Sequence, residues 1–401
     1  MDERQQRGLE IAATKKITRN GEMWVVPSQG SSSRYGVTIN KEGKFCTCPD
    51  FELRQQPCKH VHAVEFVMKR ETVLIDDHTS VTTETASVKI TYSQDWAAYN
   101  AAQTTEKAAF LKLFRALCSN VEELPQTVGR PRLSRADMLF ACGFKVYSGL
   151  SGRRFMTDLR DAHSEGMLRK LPHYNSIFSY LEDEALTPII KDMVTASALP
   201  LRSLETDFAI DSTGFTSTQL VGSWQSEKYG SRAPRVEHDW LKVHAVVGCK
   251  SNAIAAVEIG PRNSADCTYF TTLLEQTTQH FNVQRFLGDK AYSTHANVAF
   301  AESKGVAPVI PFKAYSVGTT PNETWNKLFH FFSFHREDFL KLYHQRSNVE
   351  STFSAIKRKF GDYVRSKTKT AQINELLLKF VAHNIVCCVH SLHEARLPVE
   401  F

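Results

Sequence analysis

The sequence predicts an α/β protein in which a mixed sheet is flanked by helices and preceded by a helical region and a small ββα module. Three observations predict this architecture: strands alternate with helices over residues 201–395, amphipathic helical patterns fill residues 94–200, and a cysteine cluster follows two strand-like runs within residues 20–72. A β-hairpin followed by β–α alternation is typical of a mixed sheet with helices on its faces. Residues 73–93 are rich in Thr, Ser and Val without a clear period, which predicts a linker or an edge hairpin.

Composition describes an ordinary globular chain. The 401 residues are 42% hydrophobic and 23% charged, and residues 1–16 lack the apolar core of a signal peptide. The most apolar stretch, residues 376–392, is interrupted by Lys379, His383 and Asn384, so we expect a buried helix rather than a membrane span. Nine cysteines, scattered apart from one cluster, predict a reducing cytoplasm and no disulfide scaffold.

Positive charge is concentrated in residues 341–370. This segment holds eight Lys or Arg residues and two acids, a surplus of +6 that equals the formal net charge of the whole chain. A solvated helix face is the common explanation of such a run. A basic stripe beside a carboxylate, however, fits a polyanionic partner better.

The cysteine cluster predicts a zinc site. In "FCTCPDFELRQQPCKHVHAV", four sulfur and nitrogen ligands fall within about fifteen residues, enough to close a tetrahedral Zn²⁺ site: Cys46, Cys48, Cys58 and His60. His62 is a competing fourth ligand, and a set of buried, inert thiols is the alternative. The C-x-C…C-x-H pattern resembles the SWIM zinc finger. Four protein ligands leave no open position, so we expect this module to bind DNA or protein rather than to catalyse.

The helical region predicts a candidate DNA-binding domain. Ser134 is the expected N-cap of one helix, and a Gly-bearing turn at residues 149–152 joins that helix to the next. The pair could be a helix-turn-helix or an ordinary helical pair. The preceding "GRPR", which contains Arg130 and Arg132, resembles a minor-groove-binding arm and is equally compatible with a plain basic loop.

Three acids stand at the ends of predicted elements in the third region. Asp211 ends the strand "DFAID" before "STG", Asp289 follows the strand in "RFLGDKAY", and Glu350 lies in a predicted helix over residues 343–361. A single acid at a strand end is most often a turn former. Three converging carboxylates, in contrast, repel one another unless a cation is present. With Mg²⁺ or Mn²⁺ they make a two-metal site for phosphoryl chemistry.

The predicted helix over residues 343–361 carries two stripes. Apolar residues at i, i+4, i+7 and i+11 form a face for the core: Val349, Phe353, Ile356 and Phe360. A neighbouring stripe places one acid among a phenol, a guanidinium and an amine: Tyr343, Arg346, Glu350 and Lys357. Cations beside a metal-bound phosphate neutralise its charge.

These motifs together resemble a known family. The order "AIDSTGF", "FLGDKAYS", "YHQRSNVESTFSAIKRKFG" is similar to the catalytic core of DDE transposases of bacterial insertion sequences, and the stripe resembles the group with a Tyr-Arg-Glu-Lys pattern. The resemblance covers about residues 125–395. It implies a ribonuclease H-like catalytic domain over residues 201–395, with Asp211, Asp289 and Glu350 as catalytic metal ligands. It further implies that Arg346 and Lys357 contact phosphates and that Tyr343 positions the strand end.

The resemblance also implies partners and chemistry. We expect binding of double-stranded DNA, both transposon ends and target, by a homodimer or higher multimer, with Mg²⁺-dependent cleavage and strand transfer in the nucleoid-associated cytoplasm. Arg358 and Lys359 are expected to extend the basic track for the duplex. No membrane partner is expected. The alternatives are a zinc-dependent DNA-binding regulator derived from a transposase, and a nuclease on the same fold that never joins strands.

The chain departs from its group at one place. The best-studied members carry a β-rich insertion before the glutamate helix that assists a hairpin intermediate. Here about 30 residues separate "VIPF" from Tyr343, and they look helical. Cut-and-paste chemistry by a route without a hairpin is therefore open, and Trp325 in this segment is expected to pack against the core. Most insertion-sequence transposases also lack the zinc module.

Overall fold

The structure is a computed structural model that divides into two compact units, Met1–Ser93 and Gln94–Phe401. The residues it describes are 3–29, 33–40, 43–70, 72–76, 79–82, 95–123, 128–129, 132–217 and 240–401. Each unit has its own hydrophobic core.

Helices and strands of the described residues are numbered in chain order. The α-helices are α1 Glu3–Thr14, α2 Pro49–Arg54, α3 Lys59–Arg70, α4 Trp96–Ser119, α5 Arg135–Ser148, α6 Gly152–Ser164, α7 Tyr174–Leu181, α8 Leu186–Ala198, α9 Phe270–His280, α10 His295–Ser303, α11 Glu323–Phe334, α12 Arg336–Tyr343, α13 Ser347–Phe360 and α14 Lys369–Glu394. The strands are β1 Thr18–Asn20, β2 Met23–Pro27, β3 Arg34–Asn40, β4 Gly43–Cys46, β5 Thr72–Asp76, β6 Thr79–Thr82, β7 Asp207–Thr216, β8 Trp240–Gly248, β9 Ile254–Gly260, β10 Arg285–Leu287 and β11 Ala307–Val309. Short 3-10 turns span Leu199–Leu204, Asp266–Tyr269, Lys290–Tyr292 and His344–Arg346.

The N-terminal unit is a four-stranded antiparallel sheet covered by helices. Its strand order is β1-β2-β3-β4, and the two predicted strands are β2 and β3. Helix α3 packs against this sheet and against α1, where a Cβ on Gly8 would lie 2.7 Å from the Cβ of His62. The unit is therefore larger than the predicted ββα module, because α1 and two outer strands complete it. β5 and β6 form an antiparallel hairpin within the stretch predicted as a linker or hairpin.

The second unit is built on a five-stranded mixed sheet of order β11-β10-β7-β8-β9. Strands β7, β8 and β9 form an antiparallel meander, and β10 and β11 join β7 in parallel. This is the predicted ribonuclease H-like mixed sheet. The two parallel connections each pass through a helix, as parallel neighbours require.

Helices flank both faces of this sheet. Phe208 of β7 packs against Phe281 after α9, and Phe215 of the same strand packs against Phe380 of α14. Residues an odd number of positions apart point to opposite faces of a strand. Helix α9 therefore lies on one face of the sheet and helix α14 on the other. Helix α13 contacts β7 and β8, and its side chains meet the same face as Thr213.

Helix α14 ties the helical region to the sheet. It is long and apolar enough to cross a membrane, yet 72% of its most apolar window is buried inside the unit, so the predicted buried helix is confirmed. Asn384 on this helix is fully buried; its side chain accepts from Ile254 N at 2.7 Å and donates to Val194 O at 2.9 Å. One core thus spans helices and sheet, and a division near residue 200 stays a prediction.

The predicted helix pair is α5 and α6. Ser134 caps α5 by accepting a hydrogen bond from Asp137 N, and Gly149 ends it with a φ of 65° that favours glycine. Nearly the whole length of α5 is buried, whereas α6 exposes Arg153 and Arg154. Of this pair, α6 is the helix with cationic side chains in solvent.

Candidate active site and zinc module

The register of two parallel strands brings Asp211 and Asp289 together. Arg285 pairs with Asp207 and Leu287 with Ala209, so continuing the register by two residues places Asp289 opposite Asp211. β10 ends at Leu287, as predicted for the second acid. The pairing of β7 with β10 stops there too, which leaves Asp211 at the open edge of the sheet.

The prediction that β7 ends at Asp211 is wrong. The strand continues to Thr216 because β8 pairs with it residue by residue, from Phe208 with Gly248 to Thr216 with Trp240. The residues of "STG", whose types favour turns, remain extended because of this pairing. Asp211 is therefore exposed to the site by the end of its parallel neighbour β10, and not by the end of its own strand.

Asp289 is held by the backbone that follows it. Its side chain accepts a hydrogen bond from Ala291 N at 2.8 Å and caps the turn Lys290–Tyr292. Gly288 allows the chain to pass close to β7, since a Cβ there would lie 3.2 Å from Ile210 Cγ2. A Cβ contact of this length is shorter than most that occur in proteins. Glycine at position 288 therefore lets Asp289 lie close to β7.

Glu350 comes to the site on α13. Val349 and Ile356 are fully buried and Phe353 nearly so, which confirms the predicted apolar stripe and turns Glu350 towards the exposed edge. The predicted single helix over residues 343–361 is wrong in one respect: α12 ends at Tyr343, and a 3-10 turn precedes α13. The turn still keeps Arg346 beside Tyr343, with 5.7 Å between the guanidinium carbon and the ring centroid.

Arg346 bridges two of the three acids. Its guanidinium donates to Asp211 Oδ2 at 3.0 Å and to the carboxylate of Glu350. Its side chain is 17% exposed, against 59% for Glu350. A fixed cation between two carboxylates reduces their mutual repulsion, so this arginine holds the acids close while no divalent ion is bound.

The electrostatics of Asp211 reflect this crowding. The pKa of the Asp211 carboxyl is raised to about 6: burial is the largest cause, the charges of Asp289 and Glu350 add to the rise, and Arg346 and the Ser212 N–H oppose it. Both neighbouring acids are therefore close enough to act on Asp211. Burial also raises the pKa of Tyr343. Three oxygen-donor side chains with incompletely balanced charge fit a hard divalent cation.

The predicted cations separate into different surroundings. Lys357 donates to Thr213 Oγ1 at 2.7 Å, on the same strand face as Asp211, and burial lowers the pKa of this lysine to about 8. Arg358 is exposed. Lys359 instead pairs with Glu106 Oε2 at 2.5 Å, on the side that faces α4. The structure thus brings Lys357 to the site and turns Lys359 away.

The structure describes one of the two arginines of "GRPR". Arg132 is exposed, and Arg130 lies outside the described residues. Trp325 packs as predicted: it is 4% exposed, its ring stacks on His295 at 3.9 Å, and its Nε1 donates to Val317 O.

One residue at the site has no sequence signal that singled it out. Tyr292 is 1% exposed, and its hydroxyl finds no hydrogen-bond partner among the described residues. Burial raises its pKa well above the usual value, and the charges of Asp211, Asp266 and Asp289 add to the rise. A buried, unsatisfied hydroxyl next to acids is typical of a functional site. Only its place three residues after the Asp289 cap could have drawn attention to it.

The zinc module collects its ligands from three element ends. Ligand atoms of the predicted four residues all lie within 4.8 Å of one another, and all four residues are buried: Cys46, Cys48, Cys58 and His60. Cys46 ends β4, Cys48 precedes α2, and the other two flank the start of α3. His60 Nδ1 is 3.9 Å from the Sγ atoms of Cys46 and Cys58.

These distances fit a zinc ion. Ligand–ligand edges around tetrahedral Zn²⁺ are roughly 3.5–3.8 Å, given its usual bond lengths. Burial raises the pKa of the Cys48 thiol, so a thiolate at this position is favoured only beside a cation. The competing ligand His62 is engaged elsewhere, with Nδ1 2.9 Å from Glu65 Oε2. The prediction of His60 as the fourth member is therefore the one that the geometry fits.

Comparison with known families agrees with both sites. The transposase DDE domain family matches residues 202–385, and the SWIM zinc finger family matches residues 35–68. No curated protein matches the chain. The first match contains all three acids and Arg346, and the second contains the four buried Cys and His residues.

The two family matches indicate a nucleic-acid-processing enzyme of the transposase type. The chain contains a transposase DDE domain together with an N-terminal SWIM zinc finger, and its general function is that of a transposase. Both domains indicate DNA as the partner and zinc as one bound metal.

Proposed function

We propose that this transposase binds the terminal inverted repeats of its mobile element and catalyses Mg²⁺-dependent strand cleavage and strand transfer. The observation that carries the proposal is the convergence of Asp211, Asp289 and Glu350 at one sheet edge, with Arg346 joined to two of them. Such an arrangement costs free energy in a purely structural role, because like charges disfavour each other.

The three carboxylates would hold the catalytic cations. Carboxylate oxygens are the ligands that Mg²⁺ prefers, and Mn²⁺ accepts the same donors. When bound, a pair of such ions supplies an activated attacking oxygen and stabilises the leaving one. Asp211 must be ionised to ligate, so burial that raises its pKa to about 6 also makes cation binding pH-dependent.

Arg346 and Lys357 would then serve the phosphate. Glu350 shares its carboxylate with Arg346, so ligation by Glu350 frees at least part of the guanidinium. A guanidinium released beside a metal site is placed to donate two hydrogen bonds to a phosphodiester. Lys357, held by Thr213 on the strand of Asp211, places a second charge near the same phosphate. Tyr343 packs against Arg346 and would orient it towards the strand end.

The remaining regions would recognise DNA. The helical region exposes Arg153 and Arg154, and the zinc module is a closed site suited to binding rather than to catalysis. We assign terminal-repeat recognition to these two regions, within a homodimer or higher multimer that pairs two ends. The protein would act on DNA in the nucleoid. A regulator with an inactive core and a nuclease without strand transfer are the alternatives that the experiment below separates.

The test is an assay of cutting and joining. Purified protein is incubated with Mg²⁺, a labelled duplex carrying the inverted repeats that flank its gene, and a supercoiled target plasmid. We expect cleaved ends and labelled plasmid. Asp211→Asn, Asp289→Asn and Glu350→Gln should each abolish both products and retain duplex binding.

Asp338→Asn is the matched control, because Asp338 is an exposed acid paired with Lys341 on α12. It should leave both products unchanged. Cleavage without joining would favour the nuclease, and binding without cleavage by the unaltered protein would favour the regulator. Full activity in any of the three acid variants would refute the proposed site.

A further inference from the structure

A lysine of the helical region is buried without an acceptor. Lys145, in the last turn of α5, is 6% exposed. Its ammonium lies 5.5 Å from the centroid of the Phe178 ring and donates no hydrogen bond to any residue that the structure describes. Burial lowers the pKa of Lys145, and the charge of Glu375 opposes this change. A buried charge without a hydrogen-bonded partner is costly, so it points to a ligand that would complete it.

The ammonium faces a cavity of about 340 Å³ between α5, α7 and the start of α14. Two further cations line it, Arg365 and Lys367, together with Ser366 and the first turn of α14 at Ala371. Phe178 and Leu181 provide an apolar wall, and Glu182 is the one acid among the lining residues. The cavity is at the small end of the range of ligand pockets.

The N-terminus of α14 adds a second attraction for an anion. This helix has 26 residues, and its N-cap Thr368 makes no side-chain capping bond. Free amide groups and the helix dipole at such an end favour negative charge.

The nearest internal carboxylate is already engaged. Glu375 accepts from Arg365 N at 2.9 Å, from Ser366 N at 2.8 Å and from Ser366 Oγ at 2.7 Å. These bonds fix the loop before α14. They leave three cations at the cavity, namely Lys145, Lys367 and Arg365, whose guanidinium also donates to Gly149 O, against one lining acid, Glu182.

We propose that this pocket, formed by Lys145, Arg365 and Lys367 at the N-terminus of α14, binds a phosphate group of the DNA backbone outside the catalytic site. The inference rests on the proposed DNA-binding function. A DNA phosphate is favoured over a free one because a further exposed cation, Arg153 of α6, lies over Tyr174, whose ring contacts the Phe178 ring of the cavity wall. The apolar wall is suited to the deoxyribose that accompanies a backbone phosphate.

The first test uses inorganic phosphate as the probe and needs no DNA. Thermal unfolding of the full chain, with zinc retained and other divalent ions removed, is compared in phosphate and in chloride at equal ionic strength. Phosphate should raise the Tm of the unaltered protein and not that of Lys145→Met. In chloride, Lys145→Met should be at least as stable as the unaltered protein, because it removes an unpartnered buried charge.

The second test measures binding of a fluorescein-labelled duplex of mixed sequence by anisotropy across a range of NaCl concentrations. Each phosphate contact contributes about 0.9 to the slope of log K against log salt. Lys145→Met and the rim variant Lys367→Met should each lower that slope by about 0.9 and weaken binding about tenfold at moderate salt. Lys327→Met, which removes an exposed lysine paired with Glu323 on α11, is the control and should change neither.

Any other outcome contradicts the proposal of a phosphate-binding pocket. If phosphate stabilises the unaltered protein and Lys145→Met equally, the pocket is not the phosphate site. If Lys145→Met loses phosphate stabilisation while both variants keep the DNA slope, the pocket takes free phosphate only. Should Lys145→Met fail to fold, an unchanged slope in Lys367→Met overturns the assignment by itself. A failure of the proposed transposase function is distinguishable from a failure of this inference. In that case the unaltered protein would not cleave DNA, while the salt slope would still fall in Lys145→Met and Lys367→Met.

Discussion

Replacing Asp211 with Asn should make the protein more stable in the absence of divalent metal, and only above about pH 5. Burial raises the pKa of Asp211 from 3.8 to about 6. At 1.36 kcal/mol per unit, this difference corresponds to about 3 kcal/mol between the neutral and ionised forms. An acid whose folded pKa is raised contributes stability that is complete below the unfolded pKa and is lost as the pH rises through the folded pKa.

Asn keeps the shape of the neutral acid and does not titrate. We therefore expect Asp211→Asn to match the unaltered protein near pH 4 and to exceed it by up to about 3 kcal/mol near pH 8. The attraction of Arg346 is already included in the net pKa shift, so it adds no separate loss. The measurement is calorimetric unfolding at both pH values, with zinc retained and other divalent ions removed.

Mg²⁺ should then nearly abolish this difference in stability. Binding to the folded protein alone stabilises it by about 2.7 kcal/mol when the free ion is at 100 times its Kd. The unaltered protein and the control Asp338→Asn should gain this stability, whereas Asp211→Asn should not. The reasoning is refuted if Asp211→Asn is destabilised near pH 8 without metal, or if Mg²⁺ stabilises it as much as the unaltered protein.

Three further outcomes follow from the surroundings of single side chains. Cys58→Ser should lose zinc in metal analysis and expose the N-terminal unit to limited proteolysis. His62→Ala should keep its zinc, because the His62 ring contacts Glu65. Zinc loss in His62→Ala would make His62, and not His60, the fourth ligand. The rate of DNA cleavage should fall as the pH rises through about 8, where Lys357 loses its proton. Lys357→Arg should abolish this fall. The same pH profile in Lys357→Arg as in the unaltered protein would show that the charge of Lys357 does not act on the phosphate. Arg358→Met should weaken duplex binding, whereas Lys359→Met should not, because its ammonium is paired with Glu106 on the side that faces α4. Equal losses in the two variants would place both residues on the DNA-binding surface.

The expected positions of the acids follow from local rules. Apolar strands deliver Asp211 and Asp289 to one edge, and the spacing of Arg346 and Glu350 by four residues places them together on a helical surface. The bridge from Arg346 to Asp211 joins residues 135 positions apart, and only convergence of the two elements produces it. The zinc ligands are equally local, since four of them fall within fifteen residues.

Features that depend on distant partners could not be predicted from the pattern. β7 runs past Asp211 because β8 pairs with it, which overrides the turn preference of "STG". Lys359 belongs to a basic run in the sequence, yet its ion-pair partner Glu106 is 253 positions away along the chain. The buried hydroxyl of Tyr292 and the unpartnered ammonium of Lys145 are visible only once burial is known.

The most direct test of the central claim is a titration of the zinc-loaded protein with Mn²⁺ followed by electron paramagnetic resonance. If the three acids jointly hold divalent ions, the unaltered protein removes free Mn²⁺ signal at pH 7.5, and Asp289→Asn and Glu350→Gln each lose most of that binding. Equal Mn²⁺ uptake by the unaltered protein and both variants would contradict the account.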